Sequence, residues 1–191
     1  MGSSSTPTSQ SYLPEHYFQG QTPVLVVMGV SGCGKTTISR LLAQALGWDL
    51  AEGDDFHSQA NINKMAHGIP LTDQDRWPWL ERIRDWIDQH TRDSKPAIVT
   101  CSALKRSYRD KLVVPGLAFV FLDGDYDTIL ARMRKRQGHY MKADMLCSQF
   151  ETLEPPQPGE PHIQVGVGDD TTAQQSANTA LQLLGFQSSQ R

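Results

Sequence analysis

The sequence predicts an α/β fold built on five parallel strands with helices on both faces of the sheet. Three observations carry that prediction. Short apolar runs alternate with stretches of helical period along the whole 191-residue chain. The run Val24-Leu25-Val26-Val27-Met28 leads straight into Gly29-Val30-Ser31-Gly32-Cys33-Gly34-Lys35-Thr36. Ile38, Leu41, Leu42, Ala45 and Leu46 then recur at helical spacing. Alternating strands and helices imply parallel strands joined by crossovers. The length suits one domain with a real core.

Residues 1–21 are rich in Ser, Thr and Gln with almost no aliphatics, which predicts a disordered arm. Met1-Gly2-Ser3-Ser4-Ser5-Thr6 also fits a short myristoylation pattern, but no polybasic patch follows to strengthen an anchor. The first strand is 24–28, and Gly47 closes the helix behind the glycine loop. Residues 48–51 make the second strand. Helices follow over about 58–67 and 73–91, the latter with Asp73 as its cap and Pro78 near its first turn. Trp79, Leu80, Ile83, Trp86 and Ile87 give it a buried stripe. Residues 97–101 form the third strand, with a helix to about 112, and 117–122 the fourth. Asp125 caps a helix to about 137, a short helix resumes near 144–151, and 154–159 is a turn-rich linker. Residues 162–167 complete the five strands, and 172–184 is the closing helix.

Composition excludes several classes. The chain is 38% hydrophobic and 20% charged with a net charge of −3, so nothing draws it generally to nucleic acid or anionic membranes. No apolar run approaches the ~20 residues of a membrane span. Cys33, Cys101 and Cys147 are odd in number and lack paired spacing, which suggests reduced thiols in the cytoplasm.

The glycine loop matches G-x-x-x-x-G-K-[ST] in full, in the strand–loop–helix context that a P-loop needs. Its backbone N–H groups, from Gly29, Val30, Ser31, Gly32, Cys33 and Gly34 into Lys35, Thr36 and Thr37, would cradle phosphates at the positive end of a helix. Lys35 would reach the β- and γ-phosphates of ATP, and the Thr36 hydroxyl would ligate Mg²⁺. No Asn-Lys-x-Asp sequence reads guanine. Asp123, at the end of the fourth strand, reads as a turn residue rather than a metal ligand.

The acceptor side is more selective. Gly53-Asp54-Asp55-Phe56-His57, Asn63-Lys64-Met65, the run from Gly68 through Arg76-Trp77-Pro78-Trp79-Leu80, and Cys101-Ser102-Ala103-Leu104-Lys105-Arg106-Ser107-Tyr108-Arg109-Asp110 resemble the gluconate kinase family. So do Gly138-His139-Tyr140-Met141 and Ser148-Gln149-Phe150-Glu151-Thr152-Leu153-Glu154-Pro155. The resemblance spans about residues 23–185. It implies a three-layer P-loop kinase fold with a helical lid at about 132–150, in a domain of residues 22–187 followed by a tail of 188–191. It also implies transfer of the γ-phosphoryl group of ATP to the 6-hydroxyl of D-gluconate. Members are often homodimers.

Roles follow from the resemblance, each beside a plainer reading. Asp54 would orient or deprotonate the hydroxyl, or merely cap the next helix. Glu52 stands where relatives usually carry Asp and would hold the Mg²⁺ shell with altered geometry. Arg76 and Arg109, with Lys105, His57 and His139 beside them, would meet the carboxylate and hydroxyls of the sugar acid. A surface lysine is the plainer reading of Lys105. Arg132 would meet the adenine and Arg136 the transferring phosphate as lid residues, against a solvated basic helix end as the alternative. Beyond another small sugar acid or polyol as substrate, a catalytically silent nucleotide-binding regulator is the competing class.

Overall fold

A computed structural model of the chain describes residues 7–136 and 143–187. Six strands form one sheet: β1 (Gln10–Ser11), β2 (Val24–Met28), β3 (Asp49–Glu52), β4 (Ala97–Thr100), β5 (Leu117–Asp123) and β6 (His162–Gly166). Their spatial order is β1-β6-β5-β2-β4-β3. Five strands run parallel as expected, and β1 adds an antiparallel edge, so the sheet is mixed. Among the described residues seven α-helices surround it: α1 (Lys35–Leu46), α2 (Gln59–Ala66), α3 (Asp73–Arg92), α4 (Arg106–Leu112), α5 (Tyr126–Lys135), α6 (Ala143–Thr152) and α7 (Ala173–Leu184).

The continuous apolar run of β2 follows from burial on both faces. Leu25 and Val27 enter a core with Ile38 and Leu42 of α1, Ile129 of α5, and Ala177 and Ala180 of α7. Val24, Val26 and Met28 enter a second core with Trp79, Leu80, Ile83 and Ile87 of α3 and Leu112 of α4. Successive side chains of one strand thus feed two separate cores.

The disordered arm expected over residues 1–21 is corrected across its described part. The Tyr12 amide donates to the His162 carbonyl at 2.9 Å, and the Tyr12 ring stacks on His162 at 4.5 Å. The Tyr17 hydroxyl donates to the Leu117 carbonyl at 2.6 Å, while Phe18 packs against Phe186. Three aromatics in a polar stretch suffice to seat it, and a two-residue strand carries no readable period. Residues 1–6, which hold the acylation pattern, lie outside the described residues, as does the tail of 188–191.

Helix boundaries moved little. Thr72, not Asp73, caps α3, in a capping box with Asp75. That leaves the Asp73 carboxylate for other partners. β2 sits between β5 and β4, where the chain order reverses, and the carboxyl ends of β2, β3 and β4 open on one edge. In such sheets ligands bind at this edge.

Candidate active site

The P-loop leaves β2 and turns into α1. Gly34 caps α1 at φ 104°, a left-handed conformation that a side chain would strain. The Lys35 ammonium bridges the loop's own carbonyls, Gly29 O and Val30 O, both at 2.9 Å. Cys33 is fully buried as a filler, and burial pushes its thiol pKa up against the nearby Lys35 charge. Thr37 is exposed on the first turn of α1. From α6, Gln149 accepts from the Ser31 amide at 2.7 Å and donates to its hydroxyl at 3.0 Å.

Glu52 ends β3 beside the loop. Its Oε2 accepts from the Thr100 hydroxyl at 2.7 Å and the Thr36 hydroxyl at 3.2 Å. Its Oε1 is buried with no hydrogen-bond partner. The next residue, Gly53, is clamped on two sides: its amide donates to Thr100 Oγ1 at 3.1 Å, and its carbonyl accepts from Trp79 Nε1 at 2.7 Å. A Cβ here would lie 2.0 Å from the Thr100 carbonyl oxygen, so only glycine fits. That clamp aims the short 3₁₀ turn Gly53–Phe56, from which Asp54 projects with its side chain 93% exposed. Asp54 does not cap α2; the Ser58 hydroxyl does. His57 follows, its ring stacked on Trp79 at 4.3 Å.

The segment after β4 and the first turn of α3 supply cations. Lys105 precedes α4 and bonds Asp73 at 3.2 Å, with its ammonium 5.5 Å from the centre of the Tyr108 ring. The Tyr108 hydroxyl donates to the same Asp73 carboxylate at 2.5 Å. Those two bonds hold the Asp73 carboxyl below its ordinary range, while burial and the hydrogen bond to Asp73 raise Tyr108 above its own. Arg76 lies 5.4 Å from the Tyr108 ring centre, and its Nε is buried without a partner. The buried Cys101 thiol feels this whole gathering. Burial pushes it up to about 12, with the Ala103 amide, Lys35 and Arg76 working against that rise and Asp54 adding to it. The charges of Lys35, Asp54 and Arg76 thus all act on one thiol, just past the end of β4.

Arg109 does not join them. It is 1% exposed, and its guanidinium pairs bidentately with Glu160 at 2.7 and 3.2 Å. A third bond, at 2.9 Å, goes to the carbonyl of Ala103, a buried non-glycine residue held at φ 45°. The expected substrate contact is thus corrected to a brace beneath the loop that presents Lys105. Arg132 leans on the loop after β6, donating to the Gly168 carbonyl and, at 3.4 Å, to that of Thr171. Arg136 closes α5 as an exposed C-cap residue. His139 and the middle of the expected lid lie outside the described residues. Asp123, expected as a turn residue, is instead the last residue of β5, opposite Gly166 of β6, and its carboxylate accepts from Gln164 at 2.7 Å.

A family model described as an AAA domain matches residues 24–156. The gluconokinase of Gluconobacter oxydans is 49% identical over 143 residues, covering 74% of this chain and 80% of that protein. The thermosensitive gluconokinase of Escherichia coli is 49% identical over 140 residues, 72% of this chain and 75% of that one. The chain belongs to the gluconokinase family. The crystal structure of a gluconokinase from Sinorhizobium meliloti superposes with a TM-score of 0.76 at 44% identity, covering 86% of this chain and 92% of that chain.

Within this gluconokinase fold, sequence reasoning missed Thr100, Asn61 and Tyr108 as parts of the site. Each acts through a side-chain bond to a partner distant in sequence or on another element: Thr100 to Glu52, Asn61 to His57 and the Asp75 carbonyl, Tyr108 to Asp73. Asn61 and Tyr108 did sit inside or beside the motifs that carry the family resemblance, which was the available signal.

Proposed function

We propose that this chain transfers the γ-phosphoryl group of ATP to the 6-hydroxyl of D-gluconate, releasing ADP and 6-phosphogluconate. One observation carries the reading. Among the described residues three buried side-chain polar atoms have no hydrogen-bond partner, and two of them belong to the candidate site. One is a carboxylate oxygen, Glu52 Oε1, beside the P-loop threonine; the other is a guanidinium nitrogen, Arg76 Nε. Buried unpaired groups of this kind are costly, and a cation at the first and an anion at the second would satisfy both. A metal–nucleotide and a carboxylate-bearing acceptor supply that pair.

The roles follow from position. The P-loop amides and Lys35 bind the triphosphate, and Arg132 stands at the nucleotide end beside the 168–171 loop. Mg²⁺ fits the donor set of the Thr36 hydroxyl and Glu52, hard oxygens suited to a hard cation. When bound it neutralises charge on the β- and γ-phosphates. Arg76 and Lys105 take the gluconate carboxylate, Arg76 by its planar fork. His57 holds a hydroxyl, and His139 belongs to the same acceptor group. Asp54, exposed at the strand end, receives the proton of the primary hydroxyl, and Arg136 closes on the transferring phosphoryl group. Buried Cys33 and Cys101 with a free, exposed Cys147 support a cytoplasmic setting. The test is ADP release with D-gluconate, idonate, shikimate and nucleoside monophosphates in parallel. The reading expects release with gluconate well above the others; equal or absent release with gluconate contradicts it.

A further inference from the structure

Asn61, on α2, is 4% exposed, and its amide nitrogen faces two acceptors at once. It lies 2.9 Å from the Asp75 carbonyl oxygen and 3.3 Å from His57 Nδ1. An amide nitrogen has two hydrogens to give and cannot accept. The Asp75 carbonyl settles which way the amide points, because a reversed amide would set two oxygens against each other. Both hydrogens are therefore given away, and Nδ1 of His57 must carry a lone pair. In the neutral ring the proton then resides on Nε2. That nitrogen lies 3.9 Å from Asp54 Oδ1, beyond hydrogen-bond reach. The ring is held on its face by Trp79, which is itself pinned to the Gly53 carbonyl.

We propose that Asn61 is a positioning residue that fixes His57 as the neutral Nε2–H imidazole, making it a hydrogen-bond donor to the acceptor hydroxyl and leaving the proton to Asp54. This rests on the reading of Asp54 and His57 as acceptor-site residues. The charged groups acting on the ring are Asp54 on its own turn and Arg76 and Arg82 on α3. Burial, together with the two arginines, outweighs the pull of Asp54 and holds the imidazole pKa below its ordinary value. In the transfer step the hydroxyl O–H bond breaks as its oxygen bonds to the γ-phosphorus. The proton passes to Asp54, and the electron pair of the broken P–O bond leaves with ADP. His57 keeps its proton throughout and marks the hydroxyl's place.

The experiment is a long-range ¹H–¹⁵N correlation spectrum of the full chain labelled in histidine, with His57→Gln used to assign the ring. Wild-type His57 is expected as the Nε2–H tautomer near neutral pH; an Nδ1–H tautomer or an imidazolium there overturns the proposal. Asn61→Asp replaces the donor by an acceptor, which favours the imidazolium. Its gluconate kcat/KM is expected to fall about 10- to 100-fold, with the acid limb of the pH profile moved upward. KM for ATP is expected to hold within about twofold, since this residue acts on the acceptor side alone. A wild-type pH profile and rate in Asn61→Asp overturns the positioning role. The wild-type spectrum decides the tautomer even where the variant fails to fold. It is read without substrate, so its failure is distinct from a failure of wild-type gluconate turnover.

Discussion

Arg109 Nε lies 2.7 Å from Glu160 Oε1, with both side chains sealed from solvent. The pair joins α4 to the segment before β6, while the remaining guanidinium nitrogen supports the Ala103 carbonyl. Burial pushes the Glu160 carboxyl up, but its bonds to Arg109 and the Gln157 amide and the charges of Arg109 and Arg106 outweigh that. Its pKa therefore falls below the ordinary range. Removing one partner would strand the other charge. Arg109→Met is expected to destabilise the fold by about 3–5 kcal/mol in urea unfolding. Arg109→Met with Glu160→Gln should recover part of that loss. A single variant as stable as wild type contradicts the brace.

Glu52 holds two threonine hydroxyls on one oxygen and leaves the other unsatisfied. Glu52→Gln keeps the shape and removes the charge. The Mg²⁺ concentration for half-maximal activity is expected to rise about tenfold or more, since ligand-sphere changes of this kind cost that much in metal affinity. Glu52→Asp should stay close to wild type. A Mg²⁺ titration of both variants checks this, and an unchanged curve for Glu52→Gln removes the residue from the metal site.

Asp54 stands on a clamped turn yet is itself almost fully exposed. The Asp54→Asn side chain fits the same space and cannot take a proton. Turnover is expected to fall about 10²- to 10⁴-fold, the range of general-base effects, with KM for ATP nearly constant. Steady-state kinetics in both substrates decide it. Retained turnover would return Asp54 to the solvated surface.

Arg76 separates substrate binding from chemistry. Its Nε has no hydrogen-bond partner, Lys105 and Tyr108 stand beside it, and in the proposed reading this group takes the anionic head of the acceptor. Arg76→Lys keeps the charge but loses the planar fork. KM for gluconate is expected to rise about tenfold or more, as a charge-assisted bidentate contact is lost. KM for ATP should not move. A rise in both constants alike would place Arg76 elsewhere.

The central strands, the glycine loop and the bounds of α1, α3 and α7 were legible because burial and helical period repeat over several residues. The strap over residues 7–21 was not, since Tyr12, Tyr17 and Phe18 dock one at a time on distant partners. The donor half of the site was written locally, in eight consecutive residues. The acceptor half was written across elements, and Arg109 shows the consequence. A cation in a functional motif reads as a ligand contact until its partner, 51 residues away, is seen. Asn61 and Thr100 are the reverse case, ordinary polar residues whose importance comes from what they orient.

The most direct measurement follows the product itself. The protein, ATP, Mg²⁺ and D-gluconate are incubated together, ADP is quantified, and the sugar acid is examined by ³¹P and ¹H NMR. The account predicts one ADP per gluconate consumed and a phosphorus signal coupled to the C6 protons. ADP formed without gluconate consumption, or phosphate on any other carbon, contradicts it.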